Sequence, residues 1–252
     1  MEFVFLGSGS AFTVGDGNWQ SNMLIEAPSG KKMLVDCGSD IRFSLAERGL
    51  GAADIDAVYI SHLHADHVGG MEWLGFSTCF NPACVRPRVF GGEDVVAELW
   101  EHSLAGGMQS IQGRVAALDT YFDVRPVASS GSFEWEGVVF HLIKTTHVDD
   151  GMRSLPTNGL RFLMNGKTIL LTADTQHTPN KLAAQYASAD IIFHDCETSV
   201  FPSGVHAHYR DLRTLPEEFR SRMWLYHFQA GPLPDAAADG FLGFVTKGQV
   251  FR

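Results

Sequence analysis

Four side chains of metal-binding types fall within six residues of this sequence. The stretch "YISHLHADHVGG" (59–70) carries His62, His64, Asp66 and His67 directly after a run of strand-forming residues. Burying such groups without partners would cost about a few kcal/mol each, whereas binding a divalent cation offsets that cost. Alternate side chains of an extended segment point the same way, so His62 and His64 can reach one ion. If a helix follows, Asp66 and His67 turn toward a second ion. The alternative is a histidine-rich surface loop, and the spacing argues against it.

These residues resemble the H-x-H-x-D-H signature of the metallo-β-lactamase superfamily, and the resemblance can be followed along most of the chain. It implies an α/β fold, a four-layer αββα sandwich of two mixed β-sheets flanked by helices, with the metal ligands on loops at one edge. Three later residues match further ligands, each closing an apolar strand-like run: His147 in "FHLIKTTH", Asp174 in "ILLTADT" and His227 in "MWLYHF". The resemblance implies one ion on His62, His64 and His147, a second on Asp66, His67 and His227, and Asp174 bridging the two.

One further carboxylate matches an acidic position of the superfamily near the metals. Asp36 follows a strand-like run in "MLVDCG". A carboxylate that accepts a ring N–H fixes the tautomer of a ligating histidine. An aspartate that caps a turn is the alternative interpretation. Ser61 could place its hydroxyl beside the metal-binding histidines in the same way.

The elements that would position these residues are short apolar strands separated by glycines, with helical stretches between them, one of which is predicted over 209–221. Residues 160–172 resemble a hairpin that turns at Asn165–Gly166, a dipeptide suited to a type I′ turn. Because helices and strands do not alternate strictly, two mixed sheets packed face to face are favoured over a parallel doubly wound sheet. No linker-like tract divides the chain, so we expect a single domain over 1–252. The stretch 102–124 suits a lid or a dimer contact. A core helix with its loop is an equally good interpretation of this stretch.

Composition excludes several classes of protein. The formal charge is −10, from 19 basic and 29 acidic residues, which argues against a broad surface for nucleic acid. The four cysteines (Cys37, Cys79, Cys84 and Cys196) are too few and too scattered for a disulfide scaffold or a zinc ribbon. The first residues lack the pattern of a signal peptide, and no apolar run has the length of a membrane span. We therefore expect a cytoplasmic protein with no membrane partner.

The predicted centre has a defined chemistry. Two divalent ions about 3.5–4 Å apart share a water and lower its pKa, and the resulting bridging hydroxide can attack an ester. We expect zinc, with manganese or iron as alternatives, because first-row ions compete for such ligands. The superfamily hydrolyses β-lactams, thioesters, lactones and phosphodiesters, so the fold alone does not name the substrate.

Residues 194–216, "HDCETSVFPSGVHAHYRDLRTLP", resemble the segment of ribonuclease Z-like and related phosphodiesterases that carries an acidic residue followed by a histidine that binds no metal. By position Glu197 is the acidic residue and His206 the histidine, and together with Asp66 they are the expected catalytic residues. A histidine held by a carboxylate can protonate an alkoxide leaving group. His208, two residues on, is the alternative, and two exposed histidines with no catalytic role remain a third interpretation.

The long arm with which ribonuclease Z grips tRNA is missing, because only 26 residues separate His147 from Asp174. The leading prediction is therefore a dinuclear metal-dependent phosphodiesterase acting on a small or cyclic phosphodiester. The alternatives are an ester, lactone or thioester hydrolase on the same site, a tRNA 3′-processing endonuclease, and a non-catalytic di-iron redox or oxygen sensor. The expected partners are a small-molecule substrate and, as a further possibility, a second copy of the chain, with nucleic acid disfavoured.

Overall fold

The computed structural model describes residues 1–15 and 17–252, and within them two large mixed sheets pack face to face. The first sheet contains β1 (Glu2–Phe5), β2 (Met23–Glu26), β3 (Lys32–Val35), β4 (Ala57–Ile60), β5 (Arg88–Gly92), β8 (Asp123–Val127) and β16 (Val250–Phe251), in the order β16-β1-β2-β3-β4-β5-β8. The second contains β9 (Ser132–Trp135), β10 (Val138–Lys144), β11 (Asn158–Met164), β12 (Lys167–Leu171), β13 (Ile191–Asp195), β14 (Met223–Tyr226) and β15 (Gly243–Phe244), in the order β15-β14-β13-β12-β11-β10-β9. A separate small hairpin joins β6 (Ser110–Ile111) to β7 (Arg114–Val115).

Strand direction decides where side chains at strand ends meet. In the first sheet β3 and β4 are parallel. In the second sheet β12, β13 and β14 are parallel, and β10 runs the same way because two antiparallel pairings separate it from β12. Parallel strands present their carboxyl ends at one edge of a sheet. Residues that follow β10, β12, β13 and β14 are therefore brought to a common edge.

Short helices cover the outer faces of both sheets. They are α1 (Ile41–Glu47), α2 (Ala65–Val68), α3 (Met71–Cys79), α4 (Glu93–Leu99), α5 (Ala105–Met108), α6 (Leu118–Tyr121), α7 (Pro179–Ser188), α8 (Tyr209–Leu212) and α9 (Glu217–Arg220), with a 3₁₀ turn at Ala52–Asp54 and a π-helical turn at Trp100–Leu104. Apolar side chains of α1, α3 and α4 pack on the first sheet, and those of α7 and α8 pack on the second. The predicted αββα sandwich is confirmed. No helix in the described part of the chain is long and apolar enough to cross a bilayer.

Strand β4 shows how the layers are held together. All four of its residues are buried: Ala57 and Tyr59 contribute to the core between the sheets, and Val58 and Ile60 to the core under the helices. A strand buried on both faces reads as a continuous apolar run rather than an alternating one. This strand leads directly into the histidine-rich stretch, so the first metal-binding side chains follow a strand that is buried on both faces.

Local predictions differ in their outcome. The hairpin is confirmed, since Met164 pairs with Lys167 and both Asn165 (φ 50°) and Gly166 (φ 81°) have the positive φ of a type I′ turn. The helix expected over 209–221 is two helices, α8 and α9, because Pro216 interrupts the hydrogen-bonding pattern and disfavours helical geometry in the residue before it.

The stretch 102–124 contributes some of its apolar side chains to the core, while most of its residues are half-buried or exposed. Leu104, Met108, Tyr121 and Phe122 are buried in the layer between the first sheet and its helices. The β6–β7 hairpin stands apart from that layer, and its Val115 is 78% exposed. The core-helix interpretation therefore describes the segments that contain these buried residues, and the lid and the dimer contact stay predictions.

Candidate metal centre

The histidine-rich stretch changes from strand to helix within a few residues, and this change aims its side chains. His62 lies two residues past β4, and His64 is the extended N-cap residue of α2 (φ −69°, ψ 151°). Asp66 and His67 then lie in the single turn of α2, where both are buried. The predicted division of the signature into an extended half and a helical half is what the structure shows.

Three more residues of the predicted set reach the same place from the second sheet. His147 lies three residues past β10, Asp174 three residues past β12, and His227 directly after β14. Asp36, Ala173 and His227 adopt left-handed φ values of 65°, 52° and 66°. Such conformations cost a non-glycine residue about 1–3 kcal/mol and concentrate at functional sites. These strained residues lie just after the strands that bring side chains to the site.

The first group of ligand atoms gathers around His64. Its Nδ1 lies 3.1 Å from His62 Nε2 and 3.1 Å from His147 Nε2. Asp174 Oδ2 lies 3.7 Å from His62 Nε2 and 3.8 Å from His147 Nε2. The four atoms are mutually within 4.8 Å. This is the first ligand set that the resemblance implies.

The second group gathers around Asp66. Its Oδ2 lies 3.0 Å from His67 Nε2 and 3.2 Å from His227 Nε2. Asp174 Oδ2 lies 3.4 Å from His67 Nε2 and 3.5 Å from His227 Nε2. The same carboxylate oxygen of Asp174 therefore belongs to both groups, as a bridging ligand would.

The arrangement of these atoms suits the binding of divalent cations better than it suits hydrogen bonding among the atoms themselves. His64 Nδ1 cannot hydrogen-bond to two acceptor nitrogens with a single proton, so the first group is not satisfied by hydrogen bonds alone. Ligands about 2.0–2.1 Å from a tetrahedral metal ion lie about 3.3 Å apart, close to the distances found here. In addition, His67 Nε2 and Asp174 Oδ1 are buried atoms without a hydrogen-bond partner among the described residues. Divalent metal binding accounts for the crowded ring nitrogens, for the distances between the ligand atoms and for the unpartnered His67 Nε2.

A chain of hydrogen bonds orients the rings. Asp36 Oδ2 lies 2.7 Å from His67 Nδ1 and also accepts the Ser61 hydroxyl at 2.7 Å, while Asp36 Oδ1 accepts the Ser61 N–H at 2.8 Å. Ser61 Oγ lies 3.0 Å from His62 Nδ1. His147 Nδ1 lies 2.8 Å from the Val205 carbonyl oxygen. When each of these ring nitrogens carries the proton, the opposite nitrogen presents its lone pair to the centre. The contact expected of Asp36 is confirmed.

The buried carboxylates and imidazoles shift the pKa of one another. Burial lowers the pKa of His67 and His227, but the carboxylates of Asp66 and Asp174 raise both well above the usual histidine range. Burial raises the pKa of Asp66, but His67 and His227 hold it well below its usual range. Burial, assisted by His67, holds the pKa of His62 well below the usual range, so its ring stays neutral. Protons and cations thus compete for the carboxylate charge of this site.

His206 reaches the centre, but its carboxylate partner is not the one expected. His206 Nδ1 lies 2.8 Å from Asp195 Oδ2, at the end of β13. Glu197 instead accepts hydrogen bonds from Ser199 Oγ (2.6 Å) and from the N–H (2.9 Å) and hydroxyl (3.0 Å) of Ser203. The predicted pairing of His206 with Glu197 is therefore wrong. Glu197 holds the loop that carries His206, and Asp195 holds the ring.

His208, the alternative to His206, has a different environment. One of its ring nitrogens lies 2.9 Å from the Ser199 carbonyl oxygen, and the other accepts the Arg210 N–H at 3.1 Å as the N-cap of α8. Both nitrogens are therefore engaged in local structure. His206, by contrast, lines a cleft of about 600 Å³ together with His64, His147 and His227. The structure favours His206 as the histidine that can meet a substrate.

Asp195 is the site residue that sequence reasoning missed. Asp36, Asp174 and Asp195 each stand at or just beyond the end of a buried strand, in "LVD", "TAD" and "FHD". The third repeat of this pattern was the available signal. Asp195 also lies 3.4 Å from His227 Nδ1 through its other oxygen, and a further convergent set consists of Asp174, Asp195, His206 and His227.

Comparison with known proteins identifies the family. The model of the family described as anti-Pycsar protein Apyc1 matches residues 1–251. This chain belongs to the anti-Pycsar protein Apyc1 family. An anti-Pycsar protein Apyc1 from Paenibacillus harenae is 35% identical over 231 residues, which cover 90% of each chain.

Solved structures agree with the fold. The metallo-β-lactamase fold protein YhfI from Bacillus subtilis superposes with a TM-score of 0.75 at 17% identity, covering 99% of this chain and 98% of that one. A diphosphatase from the PhnP family gives a TM-score of 0.75 at 18% identity, covering 100% and 97%. The resemblance to the metallo-β-lactamase superfamily that the motif indicated is confirmed at the level of the fold.

Proposed function

We propose that this chain is a metal-dependent phosphodiesterase that hydrolyses a small cyclic phosphodiester of the 3′,5′-cyclic nucleotide type. The observation that carries the proposal is the His206–Asp195 pair, 2.8 Å apart, placed beside the two groups of ligand atoms in one cleft. A carboxylic ester or thioester hydrolase has less need of such a pair, whereas an alkoxide leaving a phosphorus centre needs a proton.

Two divalent cations, zinc in our proposal, would occupy the ligand groups. One would be held by His62, His64 and His147, the other by Asp66, His67 and His227, with Asp174 shared. Four buried carboxylates surround these positions (Asp36, Asp66, Asp174 and Asp195), and two divalent charges would balance them. When bound, the cations lower the pKa of a shared water and offset charge on the phosphoryl oxygens.

The residues of the chain supply the proton and the orientation. Asp195 fixes the proton of His206 on Nδ1 when the ring is neutral, and it stabilises the doubly protonated ring. His206 Nε2 then donates its proton to the ester oxygen as the bond between that oxygen and phosphorus breaks, while the oxygen of water forms the new P–O bond. The proton that this water releases restores the protonated form of His206. The product is the ring-opened phosphomonoester, with the proton of His206 on its new hydroxyl. Glu197 keeps the His206 loop in place through Ser199 and Ser203.

The size of the cleft supports a small substrate. Clefts for small ligands measure about 300–1,000 Å³, and this one is about 600 Å³. A cyclic diester keeps both ester oxygens in one compact molecule, which a cleft of this volume can enclose. Between His147 and Asp174 the chain contains a loop and the β11–β12 hairpin, with a two-residue turn. This connection and the charge of −10 argue against tRNA as the substrate.

The test uses His206→Ala, with His208→Ala as the matched control from the same loop. Purified proteins are analysed for metal content and assayed on 3′,5′-cyclic nucleotides of all four bases, linear phosphodiesters, lactones and thioesters. We expect His206→Ala to lower kcat on a cyclic nucleotide by about 10²–10⁴-fold while keeping its metal, which is the usual contribution of general acid catalysis. His208→Ala should stay within a few-fold of the unmodified protein. Turnover of lactones or thioesters with none of phosphodiesters would refute the proposal.

A further inference from the structure

One aromatic side chain at the mouth of the cleft has no packing role in the chain. Phe12 is 94% exposed, yet it lines the same cleft as His64, Glu197 and His206. The exposed ring of Phe12 leaves a large apolar surface that a ligand in the cleft would cover. The position of Phe12 beside the ligand groups indicates that its ring meets whatever enters the cleft.

Backbone hydrogen bonds fix the loop that carries this ring. The Thr13 N–H donates to the Ser10 carbonyl at 3.1 Å, which closes a tight turn with Phe12 at its corner. The Ser10 N–H in turn donates to the Phe228 carbonyl at 3.0 Å. Phe228 follows His227 directly, so the turn is attached to the backbone that presents one of the metal-binding side chains. The backbone that carries Phe12 is therefore anchored next to the reacting end of the cleft, within reach of its side chain.

We propose that Phe12 is the stacking platform for the base of the substrate. This inference rests on the proposed function. The metal-binding residues and His206 account for the phosphodiester of a cyclic nucleotide, and Phe12 would contact its base. The phosphodiester lies at the ligand groups, and the base, at the other end of the molecule, lies over the ring of Phe12. Stacking on an aromatic ring tolerates any base, because every base has a π-face. Phe12 thus adds affinity for nucleotides without strong specificity for one base.

The test compares Phe12→Ala and Phe12→Trp with the unmodified, metal-loaded protein. Val14→Ala is the matched control, since Val14 is on the same loop, is 87% exposed and does not line the cleft. The substrates are the four 3′,5′-cyclic nucleotides and methyl ribofuranoside 3′,5′-cyclic phosphate, which has the same reacting group and no base. The values measured are kcat and KM, together with the mass of the particle in solution by sedimentation velocity.

We expect Phe12→Ala to raise KM for all four cyclic nucleotides by about tenfold, the usual size of a base-stacking contact, with little change in kcat. KM for the base-free substrate should not change, Phe12→Trp should restore nucleotide KM, and Val14→Ala should have no effect.

An unchanged nucleotide KM in Phe12→Ala, or an equal rise for the base-free substrate, would overturn the stacking role. So would a change of oligomeric state in Phe12→Ala, because Phe12 would then contact a second copy of the chain. An unmodified protein that turns over no cyclic nucleotide would refute the proposed function itself, and the stacking role with it.

Discussion

Replacing Asp195 by asparagine tests which carboxylate serves His206. Asp195→Asn keeps the size of the side chain but removes the charge that lies 2.8 Å from His206 Nδ1. A hydrogen bond to a charged group is worth about 1.5–3 kcal/mol, and each 1.4 kcal/mol is a factor of ten in rate. If that stabilisation is needed in the transition state, kcat on a 3′,5′-cyclic nucleotide should fall by about 10- to 150-fold. Glu197→Gln is the matched control, since Glu197 contacts Ser199 and Ser203 instead.

The choice of leaving group sharpens this assay. A ribose alkoxide needs a proton when it leaves phosphorus, whereas p-nitrophenolate is a much weaker base and leaves without one. Asp195→Asn should therefore lose most activity on cyclic nucleotides and keep most of its activity on bis(p-nitrophenyl) phosphate, with unchanged metal content. An equal loss on both substrates, or a larger loss in Glu197→Gln than in Asp195→Asn, would refute the assignment of Asp195 as the positioning residue of the general acid.

Three further predictions concern metal binding and stability. Asp36→Asn should weaken metal affinity by about 10–100-fold, because it changes the partner of His67 Nδ1 at 2.7 Å. Titration with a competing chelator measures the affinity, and an unchanged value would contradict the role of Asp36 in fixing the tautomer of His67. Removing the metal with a chelator should lower Tm, since ions that bind only the folded chain stabilise it, and calorimetry with and without added zinc measures the difference. Burial lowers the pKa of His194 to about 4, from an ordinary value near 6.5. The folded chain therefore resists protonation at this ring, and stability present above pH 6.5 is lost as the pH falls toward 4. The loss between pH 7 and pH 5 should be about 2 kcal/mol. Denaturant titrations of His194→Gln should show a pH dependence smaller by that amount, and an identical dependence would contradict the shift.

The sequence predicts the metal-binding side chains because their types and their places at strand ends are both visible in it. His62, His64, Asp66 and His67 follow one apolar run, and each of the later three residues closes or follows another. Parallel strands bring such ends together, so a correct guess of two mixed sheets is enough to predict that they meet.

The carboxylate partner of His206 could not be predicted in the same way. Asp195 and Glu197 are two residues apart at the end of β13, where alternation sends both side chains to the same face. In the structure the loop 197–205 folds back so that Ser203 hydrogen-bonds to Glu197. Asp195 is then the carboxylate that contacts His206, and the sequence does not show this course of the loop. The exposed position of Phe12 was likewise invisible, because an apolar residue in a glycine-rich loop gives no sign of its exposure.

We expect seven side chains from four separate segments of the sequence to hold two cations on a shared carboxylate. Anomalous diffraction at the metal absorption edge, on crystals of the metal-loaded protein, tests it most directly. We expect two peaks about 3.5–4 Å apart, one among His62, His64 and His147, the other among Asp66, His67 and His227, with Asp174 between them. No peak at these positions, or a cation bound by His206 and Asp195, would contradict it.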